Sequence, residues 1–193
     1  MYLSVVIPCM NEESSIPGLV ARLTQAIGPW KERAEIILVD DGSTDATWQA
    51  IEAARAVCPQ LVGLKLSGNR GHQIALTAGL EAAQGDRIFM LDADLQDPPE
   101  LLTDMMFMMD RGFDVVYGRR SERRGETLFK KVSAHLFYRF LNAMSDVAIP
   151  QDTGDFRLVN RRSLDAVLAM PERARFIRGM FAWAGFKQVG IEY

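Results

Sequence analysis

The stretch Met90-Leu91-Asp92-Ala93-Asp94-Leu95-Gln96-Asp97-Pro98-Pro99, which follows Arg87-Ile88-Phe89, decides the fold. An apolar run of this length, with Gly85-Asp86 before it and Pro98-Pro99 after it, reads as a buried strand that stops where the aspartates begin. The carboxylates therefore stand at a strand's C-terminal end, the edge of an open α/β sheet at which ligands bind. Asp92 and Asp94 are two apart, so on a regular strand they would share a face, and in the bend after it they could hold one hard cation. Mg²⁺ or Mn²⁺ suits such a pair, because both take carboxylate oxygens and keep positions open for phosphate oxygens or water. The plainer reading is an acidic loop before a helix, with Asp97 as N-cap and Pro98 in the first helical position. We expect that cap for Asp97-Pro98-Pro99-Glu100; a bare Asp-x-Asp leaves both readings of Asp92 and Asp94 open.

Upstream, Leu3 to Ile7 is an apolar strand ended by Pro8, and Asn11-Glu12-Glu13-Ser14-Ser15 opens a helix with Ile16, Leu19, Val20 and Leu23 as its apolar stripe. A second strand, Glu35 to Val39, runs into Asp40-Asp41-Gly42-Ser43-Thr44-Asp45, and helical composition follows from Ala46 to Val57. Leu61 to Leu66 reads as a third strand. The helix expected from His72 to Ala83 carries small residues at Ala75, Ala78, Gly79, Ala82 and Ala83, as close packing on a sheet needs. This βαβα order predicts a parallel sheet with helices as crossovers. The first, second and fourth strands then end in polar or acidic groups on one common edge: Asn11-Glu12, Asp40-Asp41, and Asp92 with Asp94. That convergence is far more specific than any one motif. The turn after the first strand, Pro8-Cys9-Met10-Asn11-Glu12, has no glycine, which argues against a dinucleotide fingerprint, and no P-loop is present.

The composition narrows the class. A chain of 193 residues is one domain by its length and can bury a core unaided. Its 22 Lys and Arg against 25 Asp and Glu are not the balance of a nucleic-acid polycation. Cys9 and Cys58 are too few for a disulfide framework and fit a reducing compartment. The first residues lack a signal peptide's basic and apolar regions, and nothing approaches the roughly 20 apolar residues of a membrane span.

Downstream, Phe113 to Tyr117 is a fifth strand with Gly118-Arg119-Arg120 at its end. A basic segment leads into a helix on which Phe129, Val132, Leu136, Phe140 and Met144 fall at helical spacing, with Lys130, Lys131, His135 and Arg139 on other faces. Basic residues beside aromatics suit an anionic membrane surface, and a half-buried helix with a solvated basic face fits as well. Asp152 to Leu158 places a turn and a carboxylate just before Val159, Ser163 to Met170 is helical, and the chain ends in what reads as another strand.

With these motifs in hand, the sequence resembles glycosyltransferase family 2 enzymes of the GT-A fold, and more narrowly the polyprenyl-phosphate sugar transferases, a group that includes dolichol-phosphate mannose synthase and undecaprenyl-phosphate glucosyltransferases. The resemblance runs through Val5-Val6-Ile7-Pro8, Val39-Asp40-Asp41-Gly42-Ser43-Thr44-Asp45, Asn69-Arg70-Gly71, the Asp92 to Pro99 stretch, Arg119-Arg120 and Gly154-Asp155-Phe156-Arg157-Leu158, and so covers essentially the whole chain. It implies that Pro8, Met10 and Glu12 line a nucleotide, that Val39 and Asp41 meet its base and ribose, and that Asp92, Ala93 and Asp94 lie along its diphosphate. Asp94 and Gln96, with Asp92 beside them, would hold Mg²⁺ or Mn²⁺. Arg119 matches a phosphate-contacting arginine, joined at the acceptor phosphate by Lys130, Lys131 and Ser133, and Asp155 a carboxylate near the acceptor. Family members usually continue into transmembrane helices, so the resemblance implies a GT-A catalytic domain over residues 1–193, cut from a membrane enzyme that works at the cytoplasmic face of the cell membrane.

The implied reaction is an inverting transfer of a sugar from a UDP- or GDP-sugar to undecaprenyl or dolichyl phosphate, with Asp94 and Asp155 as catalytic residues. Its partners would be the donor, the lipid phosphate and the membrane surface, with self-association left open and no nucleic acid. Transfer to a polysaccharide or glycolipid hydroxyl is the runner-up within the family, but the acceptor-groove pattern Gln-x-x-Arg-Trp is missing. A nucleotidyltransferase would need a glycine-rich basic loop after the first strand, and a non-catalytic membrane scaffold gives no reason for acidic groups at three strand ends.

Overall fold

The computed structural model describes residues 1–120 and 154–193. The strands and helices of the first half arise where the hydrophobic periodicity puts them: β1 (Leu3–Cys9), α1 (Ile16–Ala26), β2 (Ala34–Asp40), α2 (Thr47–Val57), β3 (Leu61–Lys65), α3 (His72–Ala82) and β4 (Arg87–Met90). Then come α4 (Leu102–Asp110), β5 (Val115–Arg119), β6 (Arg157–Asn160), α5 (Arg161–Leu168), α6 (Ile177–Trp183) and β7 (Gln188–Glu192). Among the described residues no helix is long and apolar enough to cross a membrane.

One seven-stranded sheet, in the order β3-β2-β1-β4-β6-β5-β7, organises the chain. β1, β2, β3 and β4 are parallel, β6 runs antiparallel to both β4 and β5, and β5 pairs with β7 in parallel. Among the described residues six strands therefore end at one edge, and β6 alone starts there.

Alternation along the strands divides the core into two layers. Val5, Ile7, Ile36, Leu38, Phe89, Val116 and Leu158 face α1, α2 and α4. Val6, Ile37, Val39, Ile88, Met90, Val115 and Val159 face α3, α5 and α6. At the edge away from the carboxyl ends, polar groups satisfy one another: Ser4 Oγ donates to Glu35 Oε1 (2.6 Å), which also accepts the Gln84 N–H (2.8 Å), and the Gly85 N–H donates to Ser4 Oγ (2.7 Å).

Three local expectations change. Asp97 is not an N-cap: a 3₁₀ turn at Pro99–Leu101 precedes α4, and no side chain caps either. β5 is displaced two residues from its expected span. Asp114 is occupied outside the strand, accepting from Asn160 Nδ2 (2.7 Å), Arg162 Nη2 (2.7 Å) and the Lys187 N–H (3.2 Å). Gly118 instead lies within β5, where a Cβ would collide with the Phe156 ring and come within 2.8 Å of Tyr193. The turn expected before Val159 leads into the reversed strand β6, which no periodicity announced. The basic helix, with Lys130, Lys131 and Ser133, lies outside the described residues.

α3 lies close on β1 and β2 because Gly79 lets it. A Cβ at Gly79 would run into Val6 Cγ1 and stand 2.9 Å from Val39 Cγ2, two side chains fixed in the core. Alanine there gains about 1 kcal/mol of helix propensity, but overpacking costs about 1–3 kcal/mol. Gly79→Ala should therefore lower stability by about 1 kcal/mol despite the better helix former, read as a lower urea midpoint at unchanged slope.

Candidate active site

The loops at the carboxyl edge are sewn together before any ligand arrives. Asn11 takes φ 57°, and its Oδ1 accepts the Thr44 N–H (2.9 Å) while its own N–H donates to Ser43 Oγ (3.0 Å). The Glu12 N–H donates to Thr47 Oγ1 (2.7 Å), so the loop after β1 is tied to the loop after β2. Gly42, at φ 71°, allows the β2 loop to pass against the backbone of Gly68 and Asn69, which a Cβ would meet at 2.6 Å. Asp41 spends both carboxylate oxygens on backbone, accepting from the Arg70 N–H (2.7 Å) and the Gly71 N–H (2.9 Å), and so fixes the entrance of α3.

These loops enclose a pocket of about 240 Å³ lined by Pro8, Met10, Asp41, Asn69, Gly71 and His72. A larger, mostly apolar groove of about 530 Å³ runs between α1 and α2, past Val20, Thr24, Ala54 and Val57, but no ionisable cluster faces it. Polar chemistry converges on the smaller pocket. The Val39 and Ala93 side chains are buried in the core and do not line it. Glu12 Oε2 accepts from Ser15 Oγ (2.7 Å).

β4 ends at Met90, so Asp92 and Asp94 stand in the bend rather than on the strand, with Ala93 buried between them. Asp94 Oδ1 accepts the Gln96 N–H (3.0 Å), and Leu95 takes φ 62° in this turn. Asp92 Oδ1 is buried without a hydrogen-bond partner, and His72 Nε2 lies 3.6 Å from it. Burial pushes the Asp92 carboxyl up to about 6, with His72 pulling the other way. Among the described residues no three His, Cys, Asp or Glu side chains form a ready cation cage. The orphaned Asp92 oxygen and the exposed Asp94 carboxylate are nevertheless the hard oxygen donors that a hard ion takes together with phosphate and water.

The start of β6 brings Asp155 to the same place. Asp155 Oδ2 accepts from Gln73 Nε2 (2.7 Å) and His72 Nε2 (3.1 Å); an ionised carboxylate only accepts, so His72 carries its proton on Nε2. Burial works to raise the Asp155 pKa, but the His72 hydrogen bond, the Arg157 charge and the Gln73 hydrogen bond together hold it below the usual carboxylate range. The Asp155 bond raises His72 against the effect of burial, and the Asp92 charge adds to it. Arg157, 2% exposed, braces the turn: its Nη2 donates to Gly154 O (2.9 Å) and its guanidinium lies over Phe181, with burial lowering its pKa to about 10.

The structure brings Arg120, not Arg119, to the Gln96 loop. Arg119 meets Glu192 at 3.8 Å. Arg120 donates from Nη1 to Gln96 Oε1 (3.1 Å), from Nη2 to Asp97 Oδ1 (2.7 Å) and from Nε to Tyr193 Oη (3.1 Å), and Tyr193 Oη donates to Asp97 Oδ1 (2.6 Å). Sequence reasoning missed His72 and Gln73, although the loop after the third strand had to end at the same edge. It also gave no role to Arg157, although that residue lies in the Gly154 to Leu158 motif, or to Tyr193, for which no local signal exists.

A mostly parallel sheet flanked by helices, with acidic groups gathered at its carboxyl edge, is the GT-A class of α/β fold. The comparison with solved structures agrees: the mannosyltransferase PcManGT from Pyrobaculum calidifontis, in complex with GDP-Man and Mn²⁺, superposes with a TM-score of 0.70 over 98% of this chain and 54% of that one, at 20% identity. Residues 4–168 match glycosyl transferase family 2, and the chain belongs to that family. It is 44% identical to the uncharacterized glycosyltransferase YkcC of Bacillus subtilis (strain 168), over 98% of this chain and 59% of that protein. It is also 36% identical to the prophage bactoprenol glucosyl transferase homolog of Escherichia coli (strain K12), over 100% of this chain and 63% of that protein. The chain thus spans about three-fifths of the length of these relatives.

Asp97 is 2% exposed, so its charge depends on Arg120 and Tyr193. Removing one partner of a fully buried pair costs about 3–5 kcal/mol. Because the Arg120 side chain is 38% exposed, we expect Arg120→Ala to cost about 2 kcal/mol. Tyr193→Phe should cost about 1 kcal/mol. Chemical denaturation of both variants measures the two values.

Proposed function

We propose that the chain is the catalytic domain of an inverting glycosyltransferase that moves a sugar from a UDP- or GDP-sugar to a polyprenyl phosphate at the cytoplasmic membrane face. The observation that carries this reading is the convergence at one sheet edge of the Asp41 pocket, the Asp92 to Gln96 bend and the Asp155 turn. Relatives named for transfer of glucose to bactoprenol, a polyprenol, support the acceptor, and a neighbour solved with GDP-Man and Mn²⁺ supports a nucleotide-sugar donor.

In this reading Pro8, Met10 and the Asp41-braced loop receive the nucleoside, and Glu12 borders it. The Asp92-Ala93-Asp94 bend lies along the diphosphate. Asp94 and Gln96, with Asp92, would hold Mg²⁺ or Mn²⁺, which supplies positive charge against the departing diphosphate. Arg120 stands ready to share in that neutralisation from the Gln96 side, and Arg119 is the sequence-based alternative. Asp155, kept ionised by His72, Gln73 and Arg157, is a poor proton acceptor. A phosphate monoester, with its second pKa near 6, is largely dianionic at neutral pH and needs no strong base to attack the anomeric carbon. Asp155 therefore orients the acceptor and stabilises positive charge on the sugar. Lys130, Lys131 and Ser133 remain the proposed acceptor-phosphate and membrane-facing groups on sequence grounds.

The full-length protein, incubated with a panel of UDP- and GDP-sugars and undecaprenyl phosphate, should give a lipid-linked sugar. Asp94→Ala should cut the rate at least a hundredfold while the far-ultraviolet spectrum is unchanged. Failure of every donor to yield product with the unaltered protein would overturn the reading.

The ion dependence carries a pH signature. A carboxylate must lose its proton to bind a cation, and the Asp92 pKa is raised to about 6. Affinity for Mn²⁺ with a nucleoside diphosphate should rise as pH climbs through about 6 and level off above it. Calorimetry at pH 5 and pH 7.5 tests this, and equal affinities, or equal binding in EDTA, would remove Asp92 and the metal from the site.

A further inference from the structure

Gln73, the second residue of α3, lies between Asp155 and the first residue of α6. Its Nε2 donates to Asp155 Oδ2 at 2.7 Å and its Oε1 accepts the backbone N–H of Ile177 at 2.9 Å. A backbone N–H can only donate, so Oε1 must face Ile177 and Nε2 must face Asp155; the amide cannot turn over without losing both bonds. The other partner of Asp155 is less fixed. His72 holds the same Oδ2 at a longer 3.1 Å, lies 3.6 Å from Asp92, and its side chain is 43% exposed. Asp155 Oδ1 is buried without a hydrogen-bond partner, so Oδ2 alone takes both bonds and the carboxylate plane depends on them.

We propose that Gln73 is a positioning residue of the transfer reaction, fixing the Asp155 carboxylate through a donor that its tether to α6 holds in place. This rests on the role given to Asp155 above. The Gln73 amide carries no charge and is anchored on backbone, so it keeps its direction when a charged ligand enters beside His72 and draws the imidazole away. α6 is thereby coupled to Asp155: a shift of Ile177 moves the amide, and the amide moves the carboxylate.

Two variants separate positioning from packing. Gln73→Glu keeps an acceptor for the Ile177 N–H and replaces the donor facing Asp155 by an oxygen of like charge. Gln73→Met keeps the volume and removes both bonds. On the full-length protein, Gln73→Glu should lower kcat at least tenfold at pH 8, with nucleoside-diphosphate Kd and donor KM unchanged. The loss should shrink as pH falls, because the two carboxylates then share a proton and the new carboxyl can donate again. Asp92, on the loop after β4, favours that shared proton, whereas His72 on α3, Arg157 on β6 and Arg178 on α6 oppose it. Gln73→Met should lose rate at every pH. A Gln73→Glu rate within twofold of the unaltered protein at pH 8, or a parallel loss of rate and donor affinity at all pH, overturns the proposal. The ¹³C shift of the Asp155 carboxylate gives a readout without acceptor: its titration midpoint should rise in Gln73→Glu, and an unmoved midpoint overturns the proposal as well. If the unaltered protein binds nucleotide yet transfers no sugar, the proposed function falls, and the Asp155 midpoint still decides the role of Gln73.

Discussion

β6 runs against its neighbours β4 and β5, and the geometry of the candidate site depends on that reversal. In a sheet of parallel strands, every residue that follows a strand reaches the carboxyl edge and every residue that precedes one is sent to the other side. A reversed strand exchanges these roles. Asp155 precedes β6 and so arrives beside Asp92, which follows β4, although the two lie far apart in sequence. The Phe89, Phe156 and Tyr193 rings hold this junction, with centroids 5.4 Å apart in both edge-on pairs. Gly118 leaves the room that Phe156 and Tyr193 fill.

Gathering carboxylates at one edge costs electrostatic energy, and the environment divides that cost unequally. Asp155 has two donors and a nearby guanidinium and stays ionised; Asp92 has an orphaned oxygen and is pushed up to about 6. The signs for stability are opposite. The lowered pKa of Asp155 contributes stability above its unfolded pKa of about 4, lost as pH falls through the lower folded value. The raised pKa of Asp92 favours the fold below about 4, and that contribution is gone once pH passes about 6. Two carboxylates whose environments push them apart are suited to different work, one holding a fixed charge and the other, in the proposed reading, taking a cation.

The strands, their common edge and the acidic groups on it were legible in the sequence because each rests on local pattern. β1, β2 and β4 are apolar runs and the composition between them is helical, although β1 continues through Pro8 to Cys9 in register with Val39 and Asp40 instead of stopping at the proline. Asp97 was misread for the same reason. Asp-Pro-Pro-Glu is a good local signature for a helix start, yet Asp97 takes its partners from Arg120 and Tyr193, 23 and 96 residues away. Val39, expected beside a nucleotide, turns its side chain into the core against Gly79. β6 is only four residues long and its first is a buried arginine, so no apolar alternation marks it.

His72 and Gln73 show how a site can hide inside an ordinary helix start. Neither caps α3, which opens from Gly71 at φ 92° with no side-chain cap. Their positions follow from Asp41, whose two oxygens grip the Arg70 and Gly71 amides and so aim the first turn of α3 at the β6 entrance. An aspartate at the end of β2 thereby sets the direction of the two side chains that hold Asp155, and through Gln73 it reaches Ile177 on α6. Asp41 is buried with each oxygen accepting one backbone N–H, so it holds the α3 entrance and the pocket wall together. The pocket and the Asp155 carboxylate are then two consequences of one backbone anchor, and a ligand that moved the Asp41 loop would be felt at Asp155.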